Sequence, residues 1–184
     1  MASSASGFAC LALCLGHAFR YNGDISELAR IGSGSACRSC MEGFVKWTAS
    51  DCSKKSIATM LYPANHWPEM NVLILVLEDN RKDVSSTSGM RESTLTSDLL
   101  KHRVNLVEQE RLKSMEDYIE NRDFNKFAKL VMRDSNNFHS ICMDTFPPLF
   151  YLNEQSQEII KFVHEFNNFY QKTSTNEEFK LAYR

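Results

Sequence analysis

The sequence predicts an α+β fold in two parts. Three observations lead there. Residues N71-V72-L73-I74-L75-V76-L77 form a continuous apolar run of strand length, and G43-F44-V45-K46-W47 alternates as a shorter strand does. The last ninety residues carry three long stripes of apolar side chains at helical spacing. Between these regions, residues 48–68 are polar and irregular, with Pro63 and Pro68 as breakers. Strands and helices that cluster rather than alternate favour α+β over a parallel α/β sheet. The domain boundary is expected near residue 68, giving parts 1–68 and 69–184.

Each element follows from its residues. The run F8-A9-C10-L11-A12-L13-C14-L15, extended by A18 and F19, is apolar on nearly every helical face, which predicts a deeply buried helix. N22-G23-D24 reads as a turn, and D24-I25-S26-E27 as a capping box opening a helix that ends near Gly32. The 71–77 run has no polar face, as a central strand requires. Residues 97–121 carry Leu99, Leu100, Val104, Val107, Leu112, Met115 and Ile119. Residues 123–144 carry Phe124, Phe127, Leu130, Val131, Phe138 and Ile141, and 154–171 carry Ile159, Ile160, Val163, Phe166 and Phe169. Each stripe predicts a helix with one core face. P147-P148-L149-F150-Y151 is expected to be extended. The tail E178-F179-K180-L181-A182-Y183 could begin a strand.

Composition narrows the function classes. With 43% hydrophobic and 24% charged residues, the 184-residue chain can build a real core. Its formal net charge of −2 gives no global field for nucleic acid or an anionic membrane, so any anion site must be local. Six cysteines occur, at positions 10, 14, 37, 40, 52 and 142. They show no short secreted framework and read as reduced thiols. Cys37 and Cys40 form a C-x-x-C, yet no second pair stands at zinc spacing, so no metal ligand is assigned. Residues 8–15 resemble a signal-peptide core, but no basic residue precedes them and no N-x-[ST] acceptor follows. Secretion is not expected.

Three stretches combine hydroxyls, glycine and basic residues. They are A2-S3-S4-A5-S6-G7, R30-I31-G32-S33-G34-S35-A36-C37-R38-S39 and K82-D83-V84-S85-S86-T87-S88-G89-M90. Ser hydroxyls and free N–H groups at a helix start can hold an anion, and Arg adds a fork suited to carboxylate or phosphate. Each stretch alone is equally an N-cap or a surface loop.

Their order is more specific than any one of them. Together with D134-S135-N136-N137-F138-H139 and D144-T145-F146-P147-P148-L149-F150-Y151-L152, the chain resembles the diphosphomevalonate decarboxylases of the GHMP kinase superfamily over essentially its whole length. The resemblance implies a two-domain GHMP-kinase-like fold: an N-terminal domain like ribosomal protein S5, and a helix-rich, ferredoxin-like C-terminal domain. It implies ATP–Mg²⁺-dependent phosphorylation of diphosphomevalonate, then loss of phosphate and CO₂ to give isopentenyl diphosphate, a step of isoprenoid and sterol biosynthesis. By similarity, Ser33, Gly34, Ser35, Ala36, Cys37 and Arg38 line the substrate site, with Arg38 on the carboxylate. Ser35, Ser86 and Thr87 would donate to the diphosphate, and Ser3 and Ser4 would end the ATP phosphate loop. The family also implies a cytoplasmic homodimer. Asp134, Ser135, Asn136 and His139 form a polar set for which a structural role is expected, since Asp134 and His139 are too far apart to share one tight helical face.

The sequence departs from the family pattern in three places. Met1 stands inside the phosphate loop, and the loop's glycine-rich first part has no counterpart. No position matches the family's catalytic Asp, which would follow Tyr183, so no catalytic residue is assigned. Cys40-Met41-Glu42 replaces apolar, aromatic and glycine residues, and an inward Glu42 would repel an anion. Both domains are therefore expected to be incomplete and the chain to have little activity of its own. The alternative expectation is a non-catalytic partner that keeps a diphosphate-binding cradle. A small-molecule kinase of the same superfamily is disfavoured by the GSGSACRS stretch.

Overall fold

The computed structural model describes residues 3–78, 83–173 and 178–184, with the side chain of Ser3 left aside. The chain divides into two compact units, Met1–Asn71 and Val72–Arg184.

In the first unit, α1 (Ser3–Ala18), α2 (Ile25–Gly32) and α3 (Ala36–Ser39) pack through small residues. Ala9, Ala29 and Ala36 form the core, flanked by Ala12 and Cys40. Asp24 caps α2, its carboxylate accepting from the Ser26 N–H at 2.8 Å. The Phe8 ring lies where a Cβ on Gly32 would sit, which brings α1 and α2 together. The predicted burial of α1 does not hold. Phe8, Leu11 and Leu15 are exposed, because α2 and α3 cover only the Ala9 side of a helix that is apolar all round.

Two strands follow, β1 (Phe44–Trp47) and β2 (Ala58–Tyr62). They pair antiparallel, with Trp47 opposite Ala58 and a bulge between Phe44 and Val45. Gly43 enters β1 at φ +70°, and a Cβ there would strike the Tyr62 carbonyl oxygen. β2 corrects the expectation that residues 48–68 are irregular throughout. A-T-M-L-Y is short but rich in strand formers, and β1 supplies its partner.

The second unit is helical: α4 (Ser86–Thr96), α5 (Asp98–His102), α6 (Glu108–Glu120), α7 (Phe124–Asp144) and α8 (Glu154–Thr173). The single helix expected over 97–121 is broken into α5 and α6 by a π-helical turn, Arg103–Val107. The α4–α5 corner is bound to the end of α7 by hydroxyls. The Thr145 hydroxyl donates to the Ile141 carbonyl at 2.8 Å, so the Ser93 hydroxyl, 2.7 Å away, donates to Thr145. Ser97 donates to the Asp144 carboxylate at 2.7 Å. Between α7 and α8 lies a core of Ala128, Met132 and Val163. The Phe146–Pro147 peptide is cis.

The central strand expected over 71–77 is not formed. The segment takes no regular secondary structure, no strand pairs with it among the described residues, and Val72 and Leu73 are 83% and 84% exposed. Apolar strand propensity selects an extended backbone, but a ladder needs a neighbour. The tail likewise forms no strand among the described residues. Its backbone is held by Asn167, whose Oδ1 accepts from the Lys180 and Leu181 N–H groups at 3.0 and 3.1 Å while its Nδ2 donates to the Leu181 carbonyl at 2.9 Å.

Candidate functional site

In the first unit, the loop joining α2 to α3 brings Ser33 through Arg38 together. Ser33 ends α2 in an extended conformation, its N–H donating to the Ala29 carbonyl. Ser35 starts α3 but makes no side-chain capping bond, so its half-buried hydroxyl remains available to an acceptor. Ala36 and Cys37 point inward and are buried. The Cys37 thiol donates to the Gly34 carbonyl at 3.1 Å, and Cys40 to Ala36 at 3.5 Å. The C-x-x-C therefore fastens a turn. Gly34, Ser35 and Arg38 face outward or partly so.

Trp47 organises this loop, a role the sequence reading did not give it. Its indole N–H donates to the Ser56 hydroxyl at 3.0 Å, which fixes the ring across the β1–β2 pair. One edge of the ring lies 3.1 Å from where a Cβ on Gly34 would stand. The Arg38 guanidinium sits 5.5 Å from the ring centre, within cation–π range. Among the described residues that guanidinium meets no carboxylate. It is exposed, aimed by an aromatic face and free to take an anion. Glu42 is exposed. The signal for Trp47 was present in the sequence as an aromatic in a strand close behind a Gly/Ser/Arg loop.

Ser4 lies exposed in the first turn of α1, which carries no acidic residue. A helix N-terminus has a dipole that suits a phosphate. Ser3 begins the helix. Ala2 and Lys82, which belong to the hydroxyl-rich motifs, lie outside the described residues, as do the side chain of Ser3 and the stretch 79–82.

Ser86 and Thr87 belong to the second unit, in the first turn of α4. The N-cap is Ser85, whose hydroxyl accepts from the Ser88 N–H at 3.2 Å, so neither Ser86 nor Thr87 is spent on capping. Ser86 lines a cavity of about 1350 Å³ together with Met90, Ser93, Arg103, Phe138 and Tyr151. Thr87 is exposed and stands outside that lining. Gly89 is buried against the Tyr151 hydroxyl, where an added Cβ would come within 2.7 Å. Its lack of a side chain is what lets α4 approach the 147–151 segment.

The Asp134 set behaves as a structural group. Arg103 grips the Asp134 carboxylate with both terminal nitrogens, at 2.7 and 3.2 Å, and Arg111 adds a third bond at 3.1 Å. Arg103 also donates to the Asn137 side chain at 2.6 Å. Burial pushes the Asp134 carboxyl up, but the two guanidiniums outweigh it and hold the group below the usual range. Ser135 is buried, and burial lowers the His139 imidazole. The Asn136 side chain accepts from the Tyr183 hydroxyl at 3.0 Å. His164 Nε2, 3.1 Å from that same oxygen, must then be the donor to it.

Among the described residues no cluster of three or more His, Cys, Asp or Glu side chains could hold a metal ion, and no helix is long and apolar enough to cross a membrane.

Comparison with known proteins agrees with the two-part organisation. Residues 72–183 match the mevalonate 5-diphosphate decarboxylase C-terminal domain family, and residues 1–58 the diphosphomevalonate decarboxylase-like N-terminal domain family. The chain is 48% identical, over all of its length, to a diphosphomevalonate decarboxylase of Rattus norvegicus, and covers 45% of that protein. A crystal structure of mevalonate 5-diphosphate decarboxylase superposes with a TM-score of 0.91 at 41% identity, covering 99% of this chain and 46% of that one. A third relative was solved in complex with MVAPP, AMPPCP and magnesium. It superposes with a TM-score of 0.79 at 31% identity, over 92% of this chain and 52% of its own. The chain thus spans about half the length of the relatives it matches.

Proposed function

The chain belongs to the mevalonate diphosphate decarboxylase family, and from that premise we propose that it carries the substrate-recognition part of an ATP-dependent carboxy-lyase acting on diphosphomevalonate. The observation that carries this reading is the Arg38–Trp47 pair. An exposed guanidinium, steered by a fixed ring and lacking an internal carboxylate, is preorganised for the carboxylate that leaves as CO₂. Arg38 holds and orients that group, while Ser33, Gly34, Ala36 and Cys37 give the loop its shape. Ser35 donates to the diphosphate, and in the second unit the hydroxyls of Ser86 and Thr87 are not spent on capping. Positioning of this kind supplies much of the rate in phosphoryl transfer.

ATP and Mg²⁺ are the co-substrate and ion of the reading. The exposed Ser4 and the N-terminal dipole of α1, with no acidic side chain in its first turn, suit the nucleotide's phosphates. Mg²⁺ would arrive on the phosphates, since it is usually held by one or two carboxylates, substrate phosphates and water. ATP supplies the phosphoryl group that turns a tertiary hydroxyl into a leaving group. The product is isopentenyl diphosphate, formed in the mevalonate route to isoprenoids and sterols. Residues 1–68 and 69–184 act as parts of the N- and C-terminal domains. A cytoplasmic homodimer, with no nucleic acid or membrane partner, completes the proposal.

Calorimetric titration with diphosphomevalonate tests it. The 184-residue chain should bind, Arg38→Lys should bind more weakly, and Arg38→Ala should lose roughly 10- to 100-fold in affinity, the range expected for a charge-assisted hydrogen-bonded pair. Absence of binding by a chain whose circular dichroism shows it folded, or equal binding by Arg38→Ala, overturns the assignment. Binding without turnover in the presence of ATP and Mg²⁺ would favour the non-catalytic partner.

A further inference from the structure

α1 carries a second kind of chemistry, unrelated to anion binding. Cys10 and Cys14 are four residues apart, so they stand one above the other on a single face of the helix. Both are exposed free thiols. The other cysteines differ. Cys37 and Cys142 are buried, Cys40 is half-buried and bonded to a carbonyl, and Cys52 is exposed. Cys10 and Cys14 are therefore the one pair among the described residues that presents two accessible sulfurs on a single helical face.

We propose that Cys10 and Cys14 form a bidentate dithiol site for trivalent arsenicals, closing both sulfurs onto one arsenic atom. For an organoarsenic(III) oxide the step is R–As=O plus two thiols giving R–As(S)₂ plus water. Two As–S bonds form, the As–O bond breaks, both thiol protons leave on the oxygen, and arsenic stays trivalent. No oxidant or reductant is needed. The centre is pyramidal, so it holds its two sulfurs side by side, as two thiols four residues apart on one helix face already stand. A linear two-coordinate ion would need them on opposite sides, and a structural zinc site would need two further ligands that the described residues do not supply. The protonation state points the same way. The neighbouring Cys10 pushes the Cys14 thiol up, which disfavours the thiolate a cation requires. Once one As–S bond forms, the second is intramolecular, and the chelate gains the corresponding effective concentration.

The test uses phenylarsine oxide on the full 184-residue chain, read by intact-protein mass spectrometry. One adduct should survive excess 2-mercaptoethanol and be released by ethanedithiol. Cys10→Ser and Cys14→Ser should each lose the monothiol-resistant adduct, with the helical circular dichroism of the wild-type chain confirming that the variants fold. The Cys37→Ser/Cys40→Ser double variant should keep it. Release of the wild-type adduct by monothiol overturns the proposal. So does resistance that persists in both single variants, or that disappears only in the double variant.

Discussion

Asp134 is an acid that would be mistaken for a catalyst from its neighbours in sequence. In the structure it neutralises two arginines from different turns and is itself mostly shielded from water. Asp134→Asn keeps the shape but leaves Arg103 and Arg111 facing a neutral amide. The loss should be about 1–3 kcal/mol in urea denaturation, less than for a fully buried pair because solvent screens part of it. The pH dependence has a definite sign. The folded carboxyl titrates below its unfolded value, so its stabilisation is complete above about pH 4 and fades as pH falls through the lower folded value. The stability gap between wild type and variant should narrow over that acid range. The local reading of Asp134 and His139 needed only helical spacing. Trp47 was missed because its importance comes from Ser56, Gly34 and Arg38, which reach it across a strand pair and a loop rather than along the chain.

At the scale of elements, side chains take over work that backbone ladders normally do. Asn167 is almost fully buried on α8 and satisfies three backbone groups of the tail, as a neighbouring strand would. Asn167→Ala should leave the α7–α8 pair helical while the Lys180 and Leu181 amides lose protection, by roughly tenfold or more if two hydrogen bonds of about 1 kcal/mol each are given up. Hydrogen exchange read by NMR separates this from general loosening, in which α7 amides would quicken equally. Helix-forming stripes at 123–144 and 154–171 were legible because their apolar spacing is long and regular. The π turn at Arg103–Val107 was not, since the stripe over 97–121 runs through it; the Arg103–Asp134 contact that accompanies it is long-range. The 71–77 run and the tail were read as strands and form none, because apolar patterning reports propensity while a ladder depends on what lies alongside.

At the scale of the molecule, the two units differ in what fills them. The first is centred on three alanines; the second buries Met132, Val163, Leu130 and Ile141. Both tryptophans, Trp47 and Trp67, lie in the first unit, so their fluorescence reports it alone, whereas far-ultraviolet circular dichroism is dominated by the long helices of the second. Denaturation followed by the two signals should give separate midpoints, fluorescence first, and coincident curves would contradict this. The apolar run at 72–77 also has a consequence for the timing of biosynthesis. Val76 and Leu77 line a shallow groove with Ile159 and Phe162 of α8, which leave the ribosome roughly eighty residues later. At about 5–20 residues per second, the run spends several seconds in water before those partners exist. A nascent chain of this sequence therefore depends on holding factors that bind short extended apolar peptides, and synthesis without them should divert it into aggregates before α8 is made.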